Sequence, residues 1–522
     1  MYVIRDPLQG DITLSEEEFD LVNTYEMQRL SRVKQLGTSY LVYPGATHTR
    51  FAHSLGVRYL IEQILIKSKI YIPAEEKRLL FLAALLHDVS HPCFGHRLEE
   101  IPGIPSHEEV RDYVLDGRIK EELKKHGVLT EEEIDNTRFI SDIDTLDKDT
   151  IKKIKELFDK RSNRYRELRE LIDNYIDADN LDYIKRDSFY LGLHAASYDD
   201  RILSQFRITE DKEVVFSDEK TTIESIIAVM HARYYLYKVA YLQHTTLISD
   251  YMLTEAVRLW RRGDNGIVPF LVGDEEMLLR IKNEEESDYR AKDLAHRILS
   301  RNLYKRAYVL DNSNLRARDK AIDTLDNPTS DFEDEIGEEI LPVRPRKPPW
   351  KEFGRILINE KEPTQIGSRI MSEIKILENK YQDLWTFIVA TKKQDIPTRI
   401  KVYEKCKKYF FDYKGIYVPK RQLSDSEYVV IRALEDIKKR KGAALYVLNA
   451  ICGEIEISTD GIVEKTNLKR STVSQYLSYL KQKFKEYNLD VLKSELNKKK
   501  KYWKIKRKSD KDLIIKFIRE EK

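Results

Sequence analysis

Residues 79–96 read LLFLAALLHDVSHPCFGH. The first eight are apolar and long enough for two turns of a buried helix, and the run ends on His87-Asp88. A carboxylate at the end of a buried helix must be paired or coordinate a metal, because an isolated charge is expensive to desolvate. Six of the 11 histidines, His48, His53, His87, His91, His96 and His107, fall between residues 48 and 107. Uniform density would put about one there. A lone histidine is usually a satisfied core or surface residue. Adjacent His and Asp at a helix end can instead share one ion, and this donor set suits Zn, Mn, Fe or Ni. Further donors stand in "HTRFAHSLG" (His48 and His53) and in "IDADNLDYIKRD" (Asp177, Asp179, Asp182 and Asp187). These residues therefore point to a metal site.

The chain has 522 residues, 41% hydrophobic and 34% charged, with a net charge of +2. That length predicts two to four domains. Three cysteines, Cys93, Cys406 and Cys452, lie far apart without CxxC spacing. No disulfide framework is expected, which fits a reducing cytoplasm. Cys93 reads as a small packed residue. The opening residues "MYVIRDPLQGDITL" lack the pattern of a signal peptide. No run of eighteen apolar residues occurs, so no membrane partner is expected.

Helical periodicity dominates the first 322 residues. "SEEEFDLVNTYEMQRLSRVKQL" has a Ser cap and acidic first-turn residues. "SIIAVMHARYYLYKVAYLQHTTLISDYMLTEAVRLW" reads as one long helix, and strands are limited to short runs such as "EVVFS". Residues 323–349 are acidic and then rich in proline, the pattern of a linker. Residues 350–425 mix strand-like runs with a helix, as a small α+β lobe. In 426–522, "DGIVEKTNLKRSTVSQYLSYLKQKFKEY" is a helix, a turn and a helix, followed by two short strands around a lysine run. That order describes a winged helix-turn-helix. The fold class is thus mainly α, with a helical core, a small α+β lobe and a C-terminal winged helix. Arg470, Ser471, Thr472, Ser474 and Gln475 would begin a recognition helix, and DNA is its expected partner. Dimerisation is the other use of such a domain, since fold alone does not fix function.

The ordered series "DPLQGDITL", "KQLGTSYLVYPGATHTRFAHSLGV", "LLHDVSHPCFGH", "IDADNLDYIKRDSFYLG" and "ARYYLYKVAYLQH" closely resembles the HD-domain dNTP triphosphohydrolase family, through about residue 310. The resemblance includes the vertebrate enzymes that carry a sterile-alpha-motif domain and, more distantly, bacterial dGTPases. It implies a helical HD core and hydrolysis of a dNTP to a deoxynucleoside and triphosphate. His53, His87, Asp88 and Asp179 match the metal ligands. His107 matches a proton-transfer histidine with Glu99 as its acidic partner, and His91 and His96 match histidines at the phosphates. Arg50, Tyr183 and Arg233 match triphosphate contacts. Gln35, Leu36, Asp187 and Tyr241 match the sugar and base pocket.

The resemblance also implies a divalent metal, Mg with the nucleotide, and a homo-oligomer. Several positions depart from the family pattern. Asn180 replaces a phosphate-binding lysine, and Tyr237 replaces a histidine beside the pocket. Asn23 and Ser31 stand where the family's guanine-recognising activator site has an aspartate and an arginine, and Tyr2 and Arg5 differ too. A GTP activator site is therefore not matched. Two other functions suit the same residues: a nuclease acting on nucleic acid held by the winged helix, or a nucleotide-sensing DNA-binding regulator.

Overall fold

The computed structural model describes residues 1–261, 265–311, 336, 339–343, 355–384, 386–409, 434, 437, 444–452, 457–486, 492–497, 500–505 and 514. Most of the expected linker 323–349, and the start of the segment 426–522, lie outside the described residues. The chain divides into two compact units, Met1–Tyr304 with Leu341–Ile388, and Lys305–Ile340 with Val389–Lys522. Among the described residues the secondary structure is mainly helical with small sheets. No described helix is long and apolar enough to cross a membrane.

The first unit opens with a hairpin, β1 (Tyr2–Asp6) and β2 (Gly10–Leu14), which the helical reading of the N-terminus did not foresee. Helices α1 (Glu16–Val22) and α2 (Tyr25–Leu30) follow where one helix was expected. Asn23 closes α1 and Thr24 is extended, so polar residues that compete for backbone hydrogen bonds split the run. Helix α3 (Arg50–Ser68), capped by Thr49, packs against α4 (Ala74–Leu86). All eight residues Leu79–Leu86 are buried, as the apolar run demands. After α5 (His107–Leu115) and four further helices between residues 119 and 172 comes α6 (Ala178–Leu191), capped by Asp177 and closed by left-handed Gly192.

Helix α6 lies so close to α3 that a Cβ on Gly56 would stand 2.0 Å from an Asp182 carboxylate oxygen. Strands β3 (Phe206–Ile208) and β4 (Val214–Phe216) form a sheet of order β3-β4-β5-β6 with β5 (Leu357–Ile358) and β6 (Thr364–Gln365). The long helix expected after residue 220 is interrupted. α7 (Lys220–Leu236) runs into a π turn at Tyr237–Tyr241, and α8 (His244–Trp260) restarts under a Gln243 cap. Beyond it, α9 (Asp274–Asn283) packs on α10 (Tyr289–Leu299), and α11 (Gly367–Gln382) packs on α7.

In the second unit, α12 (Ile396–Lys408) packs on the strand Lys305–Asp311. Helices α13 (Ala444–Cys452), α14 (Thr459–Thr466) and α15 (Arg470–Glu486) surround a core that includes Leu448, Ile462, Val473, Leu477 and Phe484. Left-handed Asn467 ends α14 and turns the chain into α15. An antiparallel sheet follows, in the order β7 (Ile457–Ser458), β9 (Lys500–Ile505), β8 (Leu492–Asn497). Ser471, Ser474 and Gln475 are exposed and Thr472 half-buried, while exposed Arg470 is ion-paired with Asp460 at 2.6 Å.

Candidate active site

The C-terminal end of α4 delivers His87 and Asp88 to the first turns of α3. His87 Nδ1 is hydrogen-bonded to the Ala84 carbonyl (2.8 Å), which leaves Nε2 buried without a hydrogen bond. His53, on α3, has Nε2 at 2.9 Å from Asp179 Oδ1 and Nδ1 at 2.9 Å from Asp182 Oδ2. Donor atoms of His53, His87 and Asp88 all lie within 4.8 Å of one another. Two imidazoles, carboxylates and an orphaned buried nitrogen fit a divalent metal. Burial alone would lower the His53 pKa, but hydrogen bonds to Asp179 and Asp182 raise it to about 10. Burial opposes charge on Asp88, yet Arg50, His91 and His87 hold its carboxyl well below the ordinary range. Arg50 Nη1 donates to Asp88 Oδ2 at 2.6 Å. Gly95, at φ +67°, leaves room for this guanidinium, since a Cβ there would meet Arg50 Nη2 at 2.8 Å.

A second cluster adjoins the first. His91 Nε2 is 3.0 Å from Asp88 Oδ1. The His91 and His107 rings stack at 4.2 Å, and His96 stands edge-on to both. Glu99 is 3.0 Å from the Nδ1 of His96 and of His107. Burial would raise the Glu99 carboxyl, but these hydrogen bonds hold it far below the ordinary range. For His91, burial first and the neighbouring Arg50 next push the pKa well down, so the ring is neutral.

Along α6, Asp179, Tyr183 and Asp187 follow one another at four-residue spacing. Arg233 Nε, from α7, donates to Tyr183 Oη at 2.9 Å, and its guanidinium lies 5.1 Å from the Tyr237 ring centroid. Tyr241 donates to Asp187 Oδ2, and His48 Nε2 is 2.7 Å from Asp187 Oδ1. The expected arginine and tyrosine of the long helix thus both face α6, although the π turn intervenes. Gln35 joins through its N–H, which donates to the His48 carbonyl at 3.0 Å, and its Oε1 is buried without a hydrogen bond. Half-buried Leu36 follows it and opens the turn Gly37–Leu41.

Residues 50–187 match the HD domain model, and residues 199–396 match an HD-associated region. The chain thus contains an HD domain followed by an HD-associated region. An uncharacterised protein of Methanocaldococcus jannaschii is 34% identical over 307 residues, 58% of this chain and 59% of that one. A Dictyostelium discoideum homologue of the deoxynucleoside triphosphate triphosphohydrolase SAMHD1 is 28% identical, covering 58% of this chain and 59% of its own. Human SAMHD1 is 29% identical over 49% of this chain and 44% of its length. The chain therefore spans well under two thirds of these relatives. Two crystal structures share the fold: a hypothetical protein of Aquifex aeolicus (TM-score 0.57, 23% identity, 77% of this chain and 99% of that) and a phosphohydrolase of Bacteroides thetaiotaomicron (TM-score 0.55, 22% identity, 75% and 100%).

In and just before the HD domain, some aspartates and histidines offered as ligands have other work. Asp177 caps α6 by accepting from Asn180 N at 2.6 Å. Asp182 pairs with Arg186 and with His53 Nδ1. His48 faces Asp187. The four-residue spacing from Asp182 to Arg186 was a readable signal for the pair. Arg29 and Asp274 carry no local signal. Arg29 is fully buried, and its Nη2 donates to the carbonyls of Val89 (3.1 Å) and His91 (2.5 Å). Asp274 accepts from Phe94 N (2.8 Å) and Lys34 N (2.9 Å). Together they brace the loop between His87 and His96. The HD-associated region contributes Arg233, Tyr237 and Tyr241, and also Tyr381, whose ring lies 5.9 Å from that of Tyr237.

Proposed function

We propose that this protein is a metal-dependent deoxynucleoside triphosphate triphosphohydrolase, giving a deoxynucleoside and inorganic triphosphate. The observation that carries the reading is the layout of α6. Asp179 and Asp187, with Tyr183 midway, are eight residue steps apart, about 12 Å of helix. That run links the metal-type cluster, the Arg233 guanidinium and the Asp187–Tyr241 pair. A nucleoside triphosphate has the same order of anionic, then hydroxylated, then aromatic chemistry. The resemblance to SAMHD1 proteins supports it further.

A metal on His53, His87, Asp88 and Asp179 would supply Lewis acidity at a phosphoryl oxygen. Arg50 and Arg233 offset phosphate charge, and Arg is the bidentate donor for that task. His91 and His96 donate to phosphate oxygens. His107, oriented by Glu99, hands a proton to the leaving 5′ oxygen. Asp187 accepts from a sugar hydroxyl, Tyr241 packs against the deoxyribose face, and Tyr237, Gln35 and Leu36 complete the walls. The side chains of Asn23 and Ser31 bond the backbone of their own helix ends (2.8 and 2.6 Å), Tyr2 stacks on Phe19, and Arg5 pairs with Asp11. These commitments support hydrolysis that needs no guanine nucleotide.

We read residues 426–522 as a winged helix-turn-helix whose exposed Arg470, Ser471, Ser474 and Gln475 meet DNA, with Thr472 beside them. The active form we read as a homo-oligomer. Anion-exchange analysis of dNTPs incubated with the protein and Mn2+ or Mg2+ should show tripolyphosphate. Monophosphate products, or no turnover with metal bound, would overturn the proposal. A nuclease would instead degrade single-stranded DNA and lose that activity in His87→Ala.

A further inference from the structure

We infer that Arg97, held in place by Asp250, reads the base of the nucleotide and favours bases that carry a carbonyl oxygen over adenine. This role presupposes the dNTP reading of the pocket and adds to it a residue that selects among dNTPs. Arg97 follows His96 and ends the turn Gly95–Arg97. Its Nε donates to Asp250 Oδ2 at 2.7 Å. The other oxygen of Asp250 accepts from the Thr38 hydroxyl at 2.5 Å, and Thr38 also meets Ser249 Oγ at 2.6 Å. Thr38 lies three residues beyond Gln35 and two beyond Leu36. One buried carboxylate on α8 therefore joins the turn that carries His96 to the turn that follows Gln35 and Leu36. The two segments also touch directly, since a Cβ on Gly37 would stand 3.3 Å from the Phe94 carbonyl oxygen. Arg97 thus stands where the phosphate side of the pocket meets the base side.

Two unsatisfied atoms point to a ligand there. Arg97 Nη1 is buried without a hydrogen bond, and so is Gln35 Oε1. Leaving a buried donor on a cation unpaired is costly, so an acceptor brought by the ligand is favoured. The neighbourhood is that of the sugar and base. Burial raises the Tyr237 phenol, while the charges of Arg233 and then Arg97 oppose the rise. The Tyr237 and Tyr241 rings are 4.9 Å apart. Guanine, thymine and cytosine each carry a carbonyl oxygen that accepts from a guanidinium. Adenine offers only ring nitrogens beside an amino donor, which a guanidinium repels. Gln35, whose amide both donates and accepts, complements Arg97 on the same base. A charge-assisted hydrogen bond made to three bases and withheld from the fourth favours the three by about tenfold or more.

The test sets the four dNTPs against one another at equal concentration with Mn2+, and reads the ratios of kcat/KM from their disappearance. Wild type should consume dATP slowest, about tenfold or more behind the others. Arg97→Met should narrow that gap, by loss of the other three. The rise in Tm that each nucleotide gives with Mn2+ reads the same ranking without turnover. If wild type consumes or binds dATP as well as the others, the role of Arg97 is overturned, and that measurement needs no variant to fold. An equal loss for all four dNTPs in Arg97→Met overturns it too, and assigns Arg97 to the phosphates or to the fold. Tripolyphosphate release without base preference removes Arg97 and leaves the proposed activity standing. A Tm ranking that follows the base, without any turnover, does the reverse.

Discussion

At the scale of single residues, the candidate site depends on side chains one step behind those proposed to hold an ion. Asp182 is fully buried and divides its carboxylate between His53 and Arg186. Asp182→Asn keeps the volume but removes the charge. His53 loses the partner that fixes its tautomer, so metal affinity should fall about 10- to 100-fold, read by competition with a chelating dye. Arg186 would keep only Asp6, and urea unfolding should show a loss of about 3 kcal/mol. Unchanged metal affinity would mean that Asp179 alone orients His53. The proposed ligands could be picked out in the sequence because each breaks an apolar pattern: Asp88 ends a buried run, and His53 sits among apolar neighbours. Their supports could not. Arg29 lies 62 residues from the His91 carbonyl it holds, and Asp274 lies 180 from Phe94. No local pattern encodes such a distance.

At the scale of elements, the closeness of α3 and α6 sets the geometry of the candidate metal site. Gly56 is the contact that permits it, since a Cβ would sit 2.0 Å from Asp182 Oδ1 and 2.4 Å from Arg186 Nη2. Gly56→Ala should either push the helices apart or break the buried ion pair. We expect a destabilisation of about 3 kcal/mol or more, together with loss of bound metal, measured by thermal unfolding and metal analysis. Helices were legible wherever apolar periodicity persisted, as in α3 and α4. The breaks were not: Asn23-Thr24 split one expected helix, and Tyr237–Tyr241 bent another. The β1–β2 hairpin escaped because its few residues alternate too weakly to signal a strand.

At the scale of the whole molecule, buried acids make folding depend on pH. Glu26 is fully buried and accepts from Ile140 N; burial raises its carboxyl from 4.5 to about 7. Between these values the folded chain holds a proton that the unfolded chain has released. Stability contributed by this group therefore falls as pH rises from 4.5 to 7, by about 3 kcal/mol. Glu26→Gln keeps an acceptor for Ile140 and should flatten that slope in urea titrations at pH 5 and pH 7. An unchanged slope would remove Glu26 from the account. The turn at Asn467 and the lysine-rich strands led the sequence reading to expect a separate C-terminal segment, 426–522. The two-unit division was not legible, because residues 341–388 return to the first unit from far along the chain.

The π turn at Tyr237–Tyr241 has a consequence for chain length. A π turn holds one residue more than the α-helical turn it replaces. Deleting a single residue there would restore regular winding, yet rotate everything after it by about 100°. Tyr241 would swing away from Asp187, while Arg233, on the near side, would keep Tyr183. The pocket's two ends are therefore spliced by an insertion, and their alignment is a matter of counting residues as much as of choosing them.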